Sequence, residues 1–351
     1  MKIYTYTEDI QVDTSHIADH ASDILYFDIE TTGLSAERSD LYLIGYGFYR
    51  NDAFHSALMF NDDGRSEPEM LSDFINIMGD YKYLISYNGD TFDIPYIKTK
   101  LEQFELSGIP DDIISVDIYK TTRKYKKLFR MASAKQIDIE ELVGFRRKSF
   151  ISGGDLIRSY RDFLNTGSDK LLQDMLTHNH DDIRGLISIT EFVNIPFIPD
   201  EICVSNIEVS EDSVTYTCDI SKLPCRITYS ADDIRINAYD QQVNITLPLL
   251  HGKLKYYFKD YRNYYYLPIE DVAIHKSMAV YVDDSHKVRA TKDTAYTTRE
   301  STFIPAPKGC AQDIFHSGDH ASAGYIEFTE ALRCSYDAAS SYIRKLISPI
   351  F

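Results

Sequence analysis

The sequence predicts an α/β protein: a mixed five-stranded sheet flanked by helices, then a second, β-rich domain with a C-terminal helix. Three observations predict it. The first 195 residues read as three strands, then alternating helix and strand, then helices, the grammar of one sheet with helices packed on it. Two prolines interrupt the chain at Asn194–Asp200 (NIPFIPD). Beyond them, short runs rich in Val, Ile, Thr and Tyr, punctuated by turn residues, replace the helical pattern. The expected domains are residues 1–196 and 197–351.

In order, the apolar run Ile24–Ile29 predicts a buried strand, and Leu41–Tyr49 and Ala53–Phe60 two more, separated by a turn at Arg50–Asp52. Ser66-Glu67-Pro68-Glu69 has the spacing of a capping box, with Glu69 reaching back to the Ser66 amide and a helix running to about Met78. Tyr83–Ser86 predicts a short strand, Ile94–Phe104 a helix and Ile113–Tyr119 a fifth strand; from there to Val193 the pattern is helical in several pieces. In the second half, His251-Gly252 and Asp283-Asp284-Ser285 are candidate hairpin turns, and Tyr325–Ile347 predicts a terminal helix.

Composition bounds the function. The chain has 351 residues, too many for a typical single domain, and 44% hydrophobic with 26% charged residues excludes wholesale disorder. No apolar run approaches the roughly 18–20 residues that span a bilayer, so no membrane role is expected. The opening MKIYTYTEDIQVD lacks the apolar core of a secretory signal. Five cysteines (Cys203, Cys218, Cys225, Cys310, Cys334), an odd number without a C-x-x-C pair, point to a reduced, cytoplasmic chain. A net charge of −17 argues against coating nucleic acid through global charge, but not against an enzyme with a local basic track.

Three elements carry chemistry. Asp28-Ile29-Glu30-Thr31-Thr32-Gly33-Leu34 closes the first strand, and strand alternation points Asp28 and Glu30 to the same side. Adjacent carboxylates repel unless a cation lies between them, and hard divalent ions take oxygen ligands of this kind. The second element is Tyr87-Asn88-Gly89-Asp90-Thr91-Phe92-Asp93-Ile94-Pro95-Tyr96, which sets an acid, Asp93, at the start of an apolar helix face; an acid there is also favourable by itself. The third is His178-Asn179-His180-Asp181-Asp182-Ile183. In a helix, His178 and Asp182 share a face and couple an imidazole base to a carboxylate, while His180 and Asp181 fall on other faces. A solvated polar face is the alternative for this segment.

Together the three elements resemble the DEDD superfamily of 3′–5′ exonucleases, which have a ribonuclease-H-like fold, in particular its YprB-like branch. Tyr42-Leu43-Ile44-Gly45, the second element and the stretch Arg146–Tyr160 also look like that branch, and the second element is similar to an exonuclease motif of family B DNA polymerases. The resemblance covers about residues 20–193. It implies Asp28, Glu30, Asp93 and Asp182 as ligands of two divalent ions, Mg²⁺ or Mn²⁺, and His178 as the base. It also implies that the backbone at Thr31 and the Leu34 side chain hold the terminal nucleotide, and that Asn88 and Phe92 line the strand's path; core packing is the alternative for Leu34 and Phe92. The better-known His-type enzymes space His and the last Asp by five and Tyr-type ones by four. Here the spacing is four, which leaves Asp181 a second candidate ligand.

The implied activity is metal-dependent 3′–5′ exonucleolytic hydrolysis of single-stranded DNA or RNA. The competing readings are a nucleic-acid-binding module with a vestigial site and a ribonuclease-H-type endonuclease. Residues 120–148 hold ten basic and three acidic residues, net +7, inside a half that is net −12. Arg123, Lys124 and Lys127, with Tyr125, Phe129 and Phe145 interleaved, suit phosphate contacts and base stacking; a solvated helix face is the other reading. In the second domain, Lys255–Pro268 holds six tyrosines and Phe258, expected as core on one face, with base stacking as the functional option.

Overall fold

Six strands, not five, build the first sheet. The computed structural model describes residues 1–51, 53–231, 233–320 and 322–351, so Asp52 of the expected Arg50–Asp52 turn lies outside the described residues. The chain divides into two units, Met1–Pro196 and Phe197–Phe351. In the first, the strands are β1 (Lys2–Glu8), β2 (Ile24–Thr31), β3 (Leu41–Arg50), β4 (Ala53–Phe60), β5 (Tyr83–Ser86) and β6 (Ile114–Asp117), in the order β1-β4-β3-β2-β5-β6. The unexpected strand, β1, pairs antiparallel with β4 from Lys2 opposite Phe60 to Glu8 opposite Phe54. Its Lys-Ile-Tyr-Thr-Tyr-Thr-Glu alternation suits an edge strand, whose charged ends discourage further pairing. β2, β3 and β4 are antiparallel neighbours, whereas β5 and β6 run parallel to β2.

Helices cover both faces. On one, Leu25, Phe27 and Ile29 of β2 pack with Met70, Leu71, Phe74 and Met78 of α1 (Glu67–Met78) and Ile97 and Leu101 of α2 (Asp93–Gln103). Each such side chain, fully buried, stabilises the fold by roughly 1.5–3 kcal/mol. After β6 come α3 (Ile118–Lys124) and α4 (Gln136–Leu142). The other face is covered by α5 (Gly153–Thr166) and α6 (Asp169–Ser188), whose Leu156, Tyr160, Leu172 and Met175 pack on Tyr42, Leu58 and Phe60. A 3-10 stretch, Thr190–Phe197, ends the helical region. No helix among the described residues is long and apolar enough to cross a membrane.

The capping box does not form. The Ser66 amide donates to the side chains of Asn61 and Asp63, and its hydroxyl donates to Asp63, so nothing remains for Glu69, which is exposed. Glu67 acts instead. Its buried carboxylate accepts the Leu41 amide at 2.9 Å and pairs with Lys100 at 3.2 Å, tying α1 to β3 and α2. Burial pushes the Glu67 carboxyl up, and the Leu41 amide and Lys100 oppose that push.

The second unit begins with the one-turn helix α7 (Ile198–Glu201) and an antiparallel sheet in the order β7-β8-β11-β10-β9. Its strands are β7 (Cys203–Val209), β8 (Ser213–Asp219), β9 (Ile227–Ala231), β10 (Ile234–Tyr239) and β11 (Gln242–Pro248). β12 (Leu250–Tyr257), β13 (Tyr264–Leu267), β14 (Val272–His275), the short helix α8 (Lys276–Ala279) and β15 (Val288–Arg289) follow, then β16 (Tyr296–Pro305), β17 (Phe315–His316) and β18 (Gly324–Glu327). β12, β16, β18 and β17 close a small barrel, and β14-β13-β15 form a separate sheet. His251-Gly252 is therefore not a turn: both residues pair within β12, opposite Thr302 and Ser301. Asp283 caps a single 3-10 turn at Asp284–His286 rather than a hairpin, since β14 and β15 both pair with β13. The expected terminal helix is a strand plus two helices, α9 (Glu330–Cys334) and α10 (Tyr336–Ile347), because Tyr325 and Ile326 complete the barrel. The Ser340 hydroxyl on α10 accepts the Val204 amide of β7 at 2.8 Å. All five cysteines are unpaired.

Replacing Glu67 by Ala leaves the Lys100 ammonium buried without its partner. The expected loss is about 3–5 kcal/mol of unfolding free energy, as for other broken buried pairs. Urea denaturation of wild type and Glu67→Ala measures it, and a loss below about 1 kcal/mol contradicts a structural role for the pair.

Candidate active site

Alternation along β2 decides where the acids go. Leu25, Phe27 and Ile29 face α1, so Asp28 and Glu30 face α6. Asp28 lies opposite Gly45 in the β2–β3 ladder. A Cβ on Gly45 would stand 2.0 Å from Oδ1 of Asn179, so this glycine opens the space in which Asn179 reaches the sheet. Asn179 Nδ2 then donates to Asp28 Oδ2 at 2.8 Å.

One residue before Asn179 and three residues after it, α6 presents His178 and Asp182. His178 Nε2 is 3.3 Å from Asp182 Oδ2 and 3.7 Å from Glu30 Oε1. One ligand atom from each of Glu30, His178 and Asp182 lies within 4.8 Å of the other two. The three side chains are each about 15% exposed, so the group opens to solvent. Asp93 enters from the other side at the first turn of α2, where its Oδ1 accepts the Ile29 amide at 3.3 Å. The structure thus brings together Asp28, Glu30, Asp93, His178 and Asp182.

The charges are crowded. Burial, then Asp182, Asp93 and Glu30, push the Asp28 carboxyl well above the usual carboxylate range. Glu30 is raised likewise by burial, Asp182 and Asp93. Burial pushes Asp93 up to about 7, opposed by the Ile29 amide and reinforced by Asp117 and Asp182. Four carboxyl groups facing one guanidinium, partly open to water, are a donor set that fits hard divalent cations.

That guanidinium belongs to Arg147, which the sequence places in the basic run. It is only 10% exposed; its Nη1 meets Asp182 Oδ1 at 2.7 Å, and its Nε and Nη2 grip Glu140 at 2.6 and 2.8 Å. Burial opposes its charge, but Glu140 and Asp182 hold its pKa above even the ordinary arginine value. Glu140 on α4 is fully buried, and Gln136 bonds both Glu140 and the Asp182 carbonyl, each at 2.9 Å. A Cβ on Gly185 would fall 1.8 Å from Glu140 Oε1, which explains a glycine in the middle of α6. The signal for this network was the three acids, Asp138, Glu140 and Glu141, inside a basic segment.

Asp181 is not part of the cluster. Its Oδ2 accepts the amides of Lys148 and Ser149 at 2.5 and 2.8 Å, so it fastens the loop that carries Arg147. His180 stacks on Tyr6 with ring centroids 3.9 Å apart and meets Glu8 at 3.2 Å.

The remaining candidates are spread around this cluster. The Thr31 hydroxyl donates to the Gly33 carbonyl at 2.8 Å and shapes the loop after β2. Leu34, on that loop, is 88% exposed and packs into no core. Phe92 does pack against the core, its ring 5.7 Å from Tyr96. Asn88 adopts φ +64°, a left-handed turn, with its amide bonded to Asp117 at 2.7 Å. Arg123, Lys124 and Lys127 are exposed at α3 and just after it. The interleaved aromatics correct the stacking reading. Tyr125 and Phe129 are buried, and Phe145 lies beneath Arg184. In the second unit Phe258 stacks on Tyr264 at 4.1 Å, and Tyr256, Tyr257, Tyr261, His316 and His320 help to line a cleft of about 410 Å³.

Asp93 yields a pH prediction. Its folded pKa lies above its unfolded value, so the folded chain retains a proton that the unfolded chain releases. The stabilisation is complete below the unfolded pKa and is lost as pH rises through about 7. In metal-free protein, the change in unfolding free energy from about pH 5 to about pH 8 should include a fall that Asp93→Asn lacks. Equal pH profiles for the two proteins contradict the shift.

Residues 25–194 match the RNase_H_2 family model, described as RNase_H superfamily. The chain is 27% identical over 171 residues to the uncharacterized protein YprB of Bacillus subtilis (strain 168), covering 48% of this chain and 41% of that one. It is 26% identical over 143 residues to DNA polymerase 1 of Aeropyrum pernix, covering 37% of this chain and 14% of that one. It thus spans less than half the length of either relative. Among solved structures, the family B DNA polymerase of Pyrobaculum calidifontis aligns with TM-score 0.42 and 12% identity, covering 68% of this chain and 35% of that one. E. coli exonuclease I in complex with a dT13 oligonucleotide aligns with TM-score 0.34 and 10% identity, covering 61% and 54%. Residues 25–194 thus carry a mixed α/β sheet flanked by helices, and their sequence is similar to the RNase_H superfamily.

Proposed function

We propose that residues 1–196 form a divalent-cation-dependent exonuclease that removes nucleotides from the 3′ end of single-stranded nucleic acid. The observation that carries this reading is the meeting of Asp28, Glu30, Asp93 and Asp182 at one end of β2, with His178 beside them. The match of residues 25–194 to the RNase_H superfamily model supports it, as does a relative named as a DNA polymerase.

In this reading Asp28 and Glu30, with Asp182 and Asp93 on either side, hold two ions, Mg²⁺ or Mn²⁺. Such a pair of cations, when bound, acidifies an attacking water and stabilises the leaving oxygen of a phosphodiester. The protein's own share is positioning. Asn179 orients Asp28, Arg147 orients Asp182, and the Ile29 amide orients Asp93. The exposed Leu34 packs on the terminal base, and the loop at Thr31 holds its sugar and phosphate. Asn88 and Phe92 line the path of the strand, and Arg123, Lys124 and Lys127 contact phosphates further along it. His178 lies close enough to the carboxylates to act on the attacking water or on the cation beside it.

The test uses the 351-residue chain with 5′-labelled single-stranded DNA and RNA. With Mn²⁺ or Mg²⁺ the expected product is a ladder shortened from the 3′ end, abolished by chelation. Asp28→Ala/Glu30→Ala should lose activity on the order of 10³-fold, as when groups serving developing charge are removed. Equal product from the double variant contradicts the proposal. Internal cuts on a circular strand reassign the domain to endonucleolytic hydrolysis. Strand binding without Mn²⁺ uptake reassigns it to a binding module with a vestigial site.

A further inference from the structure

We propose that His178 is itself a cation ligand, so that Glu30, His178 and Asp182 form one mixed nitrogen–oxygen seat for a divalent ion. This rests on the nuclease reading above and deepens it, since it changes what the imidazole does in that site.

Spacing is the first observation. Four residues apart on α6, His178 and Asp182 lie side by side on one face, and Nε2 comes within 3.3 Å of Asp182 Oδ2. The same nitrogen lies 3.7 Å from Glu30 Oε1. An octahedral ion with bonds of about 2.1 Å sets adjacent ligands about 3.0 Å apart and opposite ones about 4.2 Å apart. The three ligand atoms, all within 4.8 Å of one another, need only small movements to meet one ion.

The surroundings select those atoms. Arg147 already occupies Asp182 Oδ1 at 2.7 Å, which leaves Oδ2 as the free oxygen, on the side of His178. Ser149 Oγ lies 3.4 Å from His178 Nδ1. A ring protonated at Nδ1 donates to that hydroxyl and presents the Nε2 lone pair to the carboxylates. Metal-bound histidines are commonly held in this way, through the nitrogen that does not bind the metal. Ser149 is in turn fixed, because its amide is bonded to buried Asp181 at 2.8 Å. The role of the Asp181 carboxylate is thereby explained. It anchors the loop that supplies both Arg147 and Ser149 to the seat.

A nitrogen ligand has a chemical consequence. Mg²⁺ prefers an all-oxygen shell and keeps its waters, whereas imidazole suits later divalent ions. The seat should therefore favour Mn²⁺ over Mg²⁺.

The experiment uses the full chain and Mn²⁺ alone as probe. Titration calorimetry counts the bound ions, and electron spin-echo spectroscopy of the bound Mn²⁺ reports any directly coordinated nitrogen. The expected result is ¹⁴N modulation in wild type that disappears in His178→Gln, with Mn²⁺ affinity lowered on the order of 10–100-fold. Growth on ¹⁵N-histidine provides a second assignment without mutation, and the modulation should change to that of ¹⁵N. Bound Mn²⁺ without nitrogen modulation overturns the proposal and leaves the nuclease reading intact. Modulation that persists in folded His178→Gln overturns it too. No bound Mn²⁺ at all overturns both readings.

Discussion

Carboxyl groups crowded at the end of a buried strand repel one another, and the fold around β2 is arranged to hold them against that repulsion. Two of the acids come from the strand itself, one from the first turn of α2 and one from α6. None is left to find its own place. Asp28 is tethered by Asn179, Asp93 by the Ile29 amide, and Asp182 by an arginine that is itself held in two places by a buried glutamate. The glycines at 45 and 185 belong to the same arrangement, since a methyl group at either would collide with a tether. Without a cation the balance is poor: Asp28, Glu30 and Asp93 are all driven towards their neutral forms. A divalent ion held by these carboxylates would reverse that, because it would favour their charged forms.

Short-range periodicity made much of this legible in the sequence. The alternation of a strand put Asp28 and Glu30 on one side, and the period of a helix put His178 beside Asp182. The order of the three motifs then pointed to a ribonuclease-H-like sheet. The supporting residues were hidden because their partners are distant in sequence. Arg147 reads as one more charge in a basic run, and only the packing of α4 against α6 turns it inward to Glu140 and Asp182. The aromatics of that run were misleading for the same reason, since Tyr125 and Phe129 fill the interior and present no stacking surface.

Elsewhere, local rules lost to tertiary ones. The capping box at Ser66 failed because Asn61 and Asp63 took the amide first. β1 was missed because its charged ends disguise an alternating strand, and the Tyr325 segment because a barrel needed one more strand than its helical pattern suggested. In the second unit, Phe258 and Tyr264 of the tyrosine-rich segment stack on each other, while Tyr256 packs on Phe315 and Tyr257 on Tyr296. Leu34 is the opposite case. An apolar residue expected either in the core or at a substrate stands almost fully in water, so core packing is not its role.

The central claim is that the acids at the end of β2 are a cation site. Anomalous diffraction from crystals grown with Mn²⁺ tests it most directly, because the signal locates the ion without reference to activity. An anomalous peak is expected within bonding distance of Glu30, Asp182 and His178, and a second between Asp28 and Asp93. Anomalous density elsewhere on the protein, with these carboxylates bare, would contradict it.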